Sequence, residues 1–443
     1  MKTSKFLISA QLDQNSFLVE NLLTTAIVEL DKNKLHGLMQ EDYGVFSLDE
    51  IEGLRADGFL VEGNENDLFW DIYRRTWSQD ETGRFTVVYL FPTANCQLRC
   101  GYCYEDGIDR SQSLNLEMEV KITDWIDRHI QNLARKIDLL RIVFHGGEPL
   151  LKKDVIRSLL AVVTQICRRQ KIKLETQIVT NGVALDEESV ELLSRYNLTR
   201  LQVTLDGPRM VHDKRRFFAN GKGTYDIIMK NILSAVTNKN IQTIHIRINI
   251  DRLNFQSVLQ LLKELSQNDR LRDKIKLSLG LVTTTLPNEG CAQNASSYIA
   301  THGLQGKEAA EVYLMLAKEA MTCGFEIPLP YMIGPWCAAR HRYAWMIGPD
   351  GNIYKCLSDF GRQKSIVGSI DNGINGDLEI TKRSDTKIQQ CLSKNCNLVP
   401  ICGGGCLFER QISTDELCPK ELLQTINEGL LILHADKLLQ EDY

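Results

Sequence analysis

The sequence predicts an α/β protein in three parts. These are a small N-terminal module, a parallel sheet built from six strand–helix units, and a cysteine-rich C-terminal domain. Three observations carry this reading. From Arg84 to Leu281, short β-type apolar runs alternate with helix-length stretches, which is the pattern of a parallel sheet. Composition changes sharply near Gly83, because Met1 to Asp80 contains no Cys and few glycines. Ten of the thirteen Cys fall into two groups, 96, 100, 103 and then 337, 356, 391, 396, 402, 406, 418.

With 443 residues the chain is long enough for two or three domains. Net charge is −5, from 52 basic and 57 acidic residues, so charge gives no reason to expect nucleic acid or an anionic membrane as partner. Met1 to Val19 does not read as a signal peptide, since its apolar run, Phe6 to Ile8, is short and Asp13 follows. No uncharged apolar run approaches the length of a membrane span. A cytoplasmic location is therefore expected, and there thirteen Cys argue for metal ligands rather than disulfides.

The N-terminal module, residues 1–82, offers short strands at Phe6 to Ile8 and Ser16 to Glu20, and helix-like apolar spacing from Ile27 to Leu38. Ser47 is a helix N-cap with Glu50 three residues on. That helix ends near Gly58 and runs into Phe59-Leu60-Val61 as a strand. The order reads as a small winged-helix-like module.

Residues 83–290 supply the repeats. Strands are expected at Arg84 to Leu90, Leu139 to Phe144, Leu174 to Thr180, Arg200 to Leu205, Thr243 to Ile250 and Lys274 to Leu281. Between them lie helices at Leu116 to Leu133, Val155 to Ile166, Asp186 to Tyr196, Thr224 to Val236 and Phe255 to Leu265, with Asp186 and Asn254 as caps. On the first helix Val120, Ile122, Trp125, Ile126, Ile130 and Leu133 share one stripe. Cys167 sits among apolar residues and reads as a buried structural thiol. Ligand chemistry collects at the C-terminal ends of parallel strands. Those ends carry Gly146-Gly147-Glu148, Asn181, and Thr204 with Asp206.

The first strand runs into Phe91 to Glu105, F-P-T-A-N-C-Q-L-R-C-G-Y-C-Y-E, which places Cys96, Cys100 and Cys103 in C-x3-C-x2-C spacing. Three thiolates this close on one loop require a shared metal centre or a redox device. A tetrahedral zinc site needs a fourth ligand, and the next His is His129. A [4Fe–4S] cluster held by three thiolates leaves one iron free for a chelating ligand. This spacing, with Tyr102 before the last Cys, resembles the radical SAM superfamily. The six strand–helix units likewise resemble its partial (β/α)6 TIM-like barrel.

The resemblance implies that the free iron binds the amino and carboxylate groups of S-adenosyl-L-methionine. Reductive cleavage then yields a 5′-deoxyadenosyl radical that abstracts hydrogen from substrate. It also implies that Gly146, Gly147 and Glu148 meet the methionine amino group, and that Thr204 and Asp206 reach the ribose. Asn181 either faces the cofactor or caps its turn. Asp206-Gly207-Pro208, His212-Asp213-Lys214-Arg215-Arg216 and Gly221-Lys222-Gly223-Thr224-Tyr225 resemble the branch containing anaerobic sulfatase-maturing enzymes and peptide maturases. In that branch a nearby Arg pairs with the methionine carboxylate, for which Arg216 is the candidate and Arg247 the alternative. Asn249 shares a strand face with Arg247.

Residues 291–336 bridge to a C-terminal domain at 337–443. Tyr343 to Ile347 and Asn352 to Lys355 read as a hairpin turning at Pro349-Asp350-Gly351, which brings Cys337 and Cys356 together. Cys391, Cys396, Cys402, Gly403-Gly404-Gly405, Cys406 and Cys418 follow. The order resembles the SPASM domain, with one departure: the usual C-x2-C is C-x4-C between Cys391 and Cys396. By resemblance, Cys337, Cys356 and Cys406 bind a first auxiliary [4Fe–4S] cluster, and Cys391, Cys396, Cys402 and Cys418 a second. The first then lacks a protein ligand, for which Cys323 and then Cys291 are the nearest spares; an open iron is the other reading. Seven thiolates also suit a pair of zinc sites. Leu422 to Leu439 reads as a closing helix.

The resemblance implies a peptide maturase. It would crosslink a ribosomally made precursor through a thioether, C–C or ether bond, and would take electrons from a flavodoxin or ferredoxin. Residues 1–82 would bind the leader of that precursor as an added strand. Two other readings stand beside it: a formylglycine-generating sulfatase maturase, and a non-catalytic iron–sulfur or zinc protein.

Overall fold

The computed structural model describes residues 1–78, 85–133, 137–283, 293–330, 337–375, 377–408 and 418–441. The expected domain boundaries at 82/83, 290/291 and 336/337, and Cys291, fall on or beside positions outside that set.

The N-terminal module contains β1 (Lys2–Thr3), β2 (Leu7–Gln11), β3 (Ser16–Asn21), β4 (Ile27–Asp31), α1 (Lys32–Gln40), α2 (Leu48–Ala56), β5 (Leu60–Val61) and α3 (Glu65–Ser78). Strands β2, β3 and β4 form an antiparallel sheet, and β1 pairs with β5. The helix expected over Ile27 to Leu38 is corrected: its first five residues are a strand. Ile27 to Asp31 pairs along β3, and Asp31 then caps α1 by accepting from the Lys34 amide. A capping oxygen at Asp31 fixes the helix start there. At α2 Ser47 and Glu50 form a reciprocal capping box.

The barrel follows as β6 (Phe85–Leu90), α4 (Leu116–Asn132), β7 (Leu139–Phe144), α5 (Lys153–Gln170), β8 (Lys173–Thr180), α6 (Glu187–Ser194), β9 (Leu198–Thr204), α7 (Arg209–Arg215), α8 (Tyr225–Thr237), β10 (Ile244–Ile250), α9 (Phe255–Ser266), α10 (Asp269–Lys274) and β11 (Ile275–Leu281). Strands β6 to β11 lie side by side in chain order, all parallel. Period-two alternation sorts each strand into two faces. On β10, Ile244, Ile246, Ile248 and Ile250 are wholly buried under the helices, each contributing about 1.5–3 kcal/mol. His245, Arg247 and Asn249 alternate with them and take the inner face. Cys167 is buried in the same core. Val120 leaves the predicted stripe and is half exposed on α4. Asn254 caps nothing with its side chain; instead its Nδ2 donates to the carbonyls of Asp206 and Asn249, tying two strand ends together.

The bridge is helical, with α11 (Gln293–His302) and α12 (Gly306–Thr322). The C-terminal part adds β12 (Ala344–Ile347), β13 (Asn352–Tyr354), β14 (Gly368–Ser369), β15 (Gly373–Ile374), α13 (Asp377–Ser393), α14 (Val399–Cys402) and α15 (Lys420–Glu441). The expected hairpin forms between β12 and β13. It also does what the sequence did not announce: β12 pairs in parallel with β6, so one ten-stranded sheet joins barrel and C-terminal part. Among the described residues no helix is long and apolar enough to cross a membrane.

Candidate active site

The loop after β6 is zipped to its surroundings by backbone bonds. Ala94 N donates to Gln112 O, Arg99 N to Phe217 O and Ala219 N to Gln97 O. Arg99 and Arg110 guanidiniums both donate to the carbonyls of Cys96 and Leu98. On the other side Gly147 N and Glu148 N donate to Thr93 O and Asn95 O. The double glycine is thus explained by close approach. Gly146 has φ +116, and a Cβ on Gly147 would collide with the carbonyl oxygens of Ala94 and Asn95.

Cys96, Cys100 and Cys103 line one cavity of about 440 Å³. Of the residues expected to hold cofactor, Tyr102, Gly146, Gly147 and Asn181 line it too. Thr204, Arg216, Arg247 and Asn249 complete that set. The side chains of Glu148 and Asp206 are not among the lining residues. The Glu148 carboxylate is fully buried behind the wall, accepting from Leu150 N, Thr180 Oγ1 and Asn181 N. Asp206 is equally buried; it accepts from the Tyr102 hydroxyl and, at 2.9 Å, from Asn249 N. A buried carboxylate with several donors is a joint, since its charge is already satisfied. Asn181 caps its turn, with Oδ1 accepting from Val183 N, and its Nδ2 lies 3.6 Å from Cys96 Sγ.

Tyr102 is the hub. Its hydroxyl also receives Arg216 Nη1 at 2.8 Å and Asn249 Nδ2 at 3.3 Å. Burial works to lower the Arg216 pKa, but Cys100, Tyr102 and Asp206 hold it well above its ordinary value, so Arg216 stays charged. Its buried Nε has no partner. Arg247 is spent more fully, on Asn249 Oδ1 and Ser278 Oγ. Arg215, absent from the expected set, pairs with buried Asp251 at 2.7 Å and with Tyr298 at 2.8 Å. The His212, Asp213 and Thr224 string is scaffolding. His212 accepts from Asp206 N and meets Thr224 Oγ1, while Asp213 caps Thr224 N and Tyr225 N.

Glu105 and His145 also face the cavity, 3.8 Å apart. Glu105 lies on the cysteine loop two residues after the third thiol and His145 directly precedes the double glycine; their position in sequence does not show which way the side chains turn. Burial pushes Glu105 up to about 7 and His145 down to about 4, so the imidazole is neutral, with Nδ1 accepting from Gly146 N.

The C-terminal thiols fall into two groups. Burial raises the Cys356 thiol, then Asp359 and the nearby Cys337 and Cys406 add to it. Cys402 is pushed up to about 11 by burial, then by Cys396, Cys391 and Cys418. Arg340 joins the groups: three residues past Cys337, it is buried and donates to the carbonyls of Gly403 and Gly405, between Cys402 and Cys406. Those glycines have φ from +56 to +91, which lets the carbonyls turn inward. Lys355 is buried beside Cys356, its Nζ donating to His341 O and Ala344 O. Cys406 and Phe408 line the same cavity as the loop thiols. Cys323 is not among the thiols that act on Cys356 or Cys402. At the end of α12 its thiol meets Glu319 and Ser266, because helical geometry directs it toward the end of α9.

A family model, the radical SAM superfamily, matches residues 90–265, the span that contains the thiol loop and the strand ends described above. The chain carries a radical SAM domain. The cofactors of such a domain are a [4Fe–4S] cluster and S-adenosylmethionine. The residues present fit them. Three thiols share a cavity, and a charged guanidinium with an unpartnered N–H stands beside them. Among the described residues no three His, Cys, Asp or Glu side chains are arranged to hold a single metal ion. A four-iron cluster asks something else, one iron corner per thiolate.

The chain is 31% identical over 143 residues to a cysteine-type anaerobic sulfatase-maturating enzyme of Clostridium novyi, covering 32% of this chain and 37% of the relative. It is 22% identical over 268 residues to the radical SAM cyclopropyl synthase TigE of Paramaledivibacter caminithermalis, covering 54% and 55%. The chain thus matches about half or less of the length of these relatives. The solved structure of native anSMEcpe with bound AdoMet superposes with TM-score 0.60 at 17% identity, covering 80% of this chain and 99% of that one, and shows the same fold.

Proposed function

We propose that this protein is a radical SAM peptide maturase, which takes hydrogen from a residue of a ribosomally made precursor and forms an intramolecular crosslink. One observation carries the reading most. A single cavity is lined both by the loop thiols and by Cys406 and Phe408 of the C-terminal part. A substrate residue there meets the radical source on one side and an auxiliary electron acceptor on the other. When bound, the cluster and S-adenosylmethionine supply one-electron cleavage of a sulfonium and a carbon radical.

The chain's own residues do the rest. Cys96, Cys100 and Cys103 hold the cluster. Arg216 meets the methionine carboxylate through the guanidinium edge that Tyr102 leaves open. Glu105, near neutrality, holds or releases a proton beside His145. Cys337, Cys356 and Cys406 hold the first auxiliary cluster and Cys391, Cys396, Cys402 and Cys418 the second, giving the second electron of an oxidation a place to go. Residues 1–82, read as a winged-helix-like module, bind the leader, and a flavodoxin or ferredoxin supplies the first electron. The reading is tested by incubating the reconstituted protein with S-adenosylmethionine, a strong reductant and a candidate precursor, a short peptide with Cys or aromatic residues near its C-terminus. Formation of 5′-deoxyadenosine with loss of two hydrogens from the peptide supports it; conversion of a sulfatase Cys or Ser peptide to formylglycine instead favours the sulfatase maturase, the activity named for one relative.

A further inference from the structure

The N-terminal module does not stand apart from the metal-binding region. Phe6, Leu23, Phe69 and Tyr73 pack against Ile388, Leu392 and Val399, and in the same apolar cluster lie Cys391 and Cys396. On a second face Ile8, Ala10, Leu18 and Leu22 pack against Leu398, Ile401 and Leu431, together with Cys396 and Cys402. Cys396 belongs to both clusters, so the thiol loop is enclosed from two sides by residues of the first eighty. Polar pins fix this seat. Asn397, next to Cys396, donates Nδ2 to Leu7 O at 3.0 Å. Trp70 Nε1 donates to Gln389 Oε1 at 3.0 Å. Asn427 Nδ2 donates to Glu20 Oε2 at 2.7 Å, both residues being buried.

We propose that the N-terminal module forms the apolar wall of the four-thiol site at Cys391, Cys396, Cys402 and Cys418, and that shielding this site from water is a function of the module separate from recognising a peptide. The inference rests on the proposed reading of these thiols as ligands of the second auxiliary cluster. The physical argument is general. Solvent exposure is one of the settings that decide the potential and lability of an iron–sulfur cluster. Phe6, Leu22 and Phe69 are each no more than 1% exposed, and with the C-terminal residues they face they cover the Cys391, Cys396 and Cys402 side of the site in two apolar clusters. Leader recognition alone does not require apolar packing of this kind against thiols.

The test uses the full chain, reconstituted anaerobically and reduced, with a ferrous chelator as probe and spin-resonance spectra to follow each cluster. Phe69→Ala and Leu22→Ala are expected to speed iron loss from one cluster about tenfold or more. That cluster is the one missing when Cys391, Cys396, Cys402 and Cys418 are all replaced by Ala, and the other two keep their wild-type rates. If Phe69→Ala fails to fold, Phe69→Leu and Ile8→Val carry the test, with a smaller but still selective acceleration. Unchanged loss from that cluster, or equal acceleration of all three, overturns the inference. A protein in which Cys391, Cys396, Cys402 and Cys418 are all replaced by Ala, with wild-type iron content and spectra, overturns the underlying assignment of the four thiols, a result distinguishable from the other two.

Discussion

The Tyr102 hydroxyl donates to the buried carboxylate of Asp206, which ties the residue between the second and third loop thiols to the end of the fourth barrel strand. Through this bond the cysteine loop takes its position from the sheet, and through the same hydroxyl Arg216 is aimed at the cavity. Tyr102→Phe removes the hydroxyl and leaves a buried carboxylate and guanidinium short of a partner. A loss of about 1–3 kcal/mol is expected. Denaturant unfolding checks the stability, and equilibrium binding should show weaker S-adenosylmethionine affinity in the reconstituted variant.

Gly147→Ala forces a methyl group onto the carbonyl oxygens of Ala94 and Asn95. Neither is the end of a flexible side chain, so the cysteine loop must move. The expected result is selective failure to assemble the loop cluster, with the C-terminal irons retained. Iron analysis of the variant beside a Cys96→Ala protein checks it.

Arg340→Met leaves the carbonyls of Gly403 and Gly405 without their buried donor. A hydrogen bond to a charged group is worth about 1.5–3 kcal/mol. Because Arg340 connects the turn after Cys337 to the loop between Cys402 and Cys406, both auxiliary sites should lose iron. Arg340→Lys, which restores one donor, should recover part of it. Iron per chain and the spectra of the reduced protein are the readout.

Two buried histidines, His212 and His341, and the half-buried His129 set an acid limit. Burial depresses His129 and His212 to about 4 and His341 to about 3. Unfolded, each titrates near 6.5, so between these values the unfolded chain binds more protons than the folded one. Stability is therefore full above about pH 6.5 and falls as pH drops toward 4, by an amount on the order of a few kcal/mol. Melting temperature measured across that range should decline steadily, and His129→Phe should flatten part of the slope.

The strands of the barrel were legible because their inner and outer faces differ. Ile244, Ile246, Ile248 and Ile250 alternate with His245, Arg247 and Asn249, and that alternation is a local signal. The thiol loop was legible because its ligands lie within eight residues. What escaped depends on partners distant in sequence. The pairing of β12 with β6 joins residues about 257 positions apart, as the bond from Thr86 to Tyr343 O shows. Glu148 and Asp206 stand at strand ends as expected, but the donors that surround their buried carboxylates come from residues distant in sequence. Ile27 to Asp31 has spacing compatible with a helix, and only β3 beside it decides for a strand. Cys323 lies near Cys337 in sequence, while α12 carries it elsewhere.

The central claim is that three thiol groups hold three clusters around radical chemistry. Its most direct test is iron, sulfide and zinc per chain after anaerobic reconstitution, with S-adenosylmethionine cleavage assayed on the same sample. The account predicts about twelve irons, little zinc and production of 5′-deoxyadenosine, with roughly eight irons kept and that product lost when Cys96, Cys100 and Cys103 are all replaced by Ala. Stoichiometric zinc with no cleavage would contradict it.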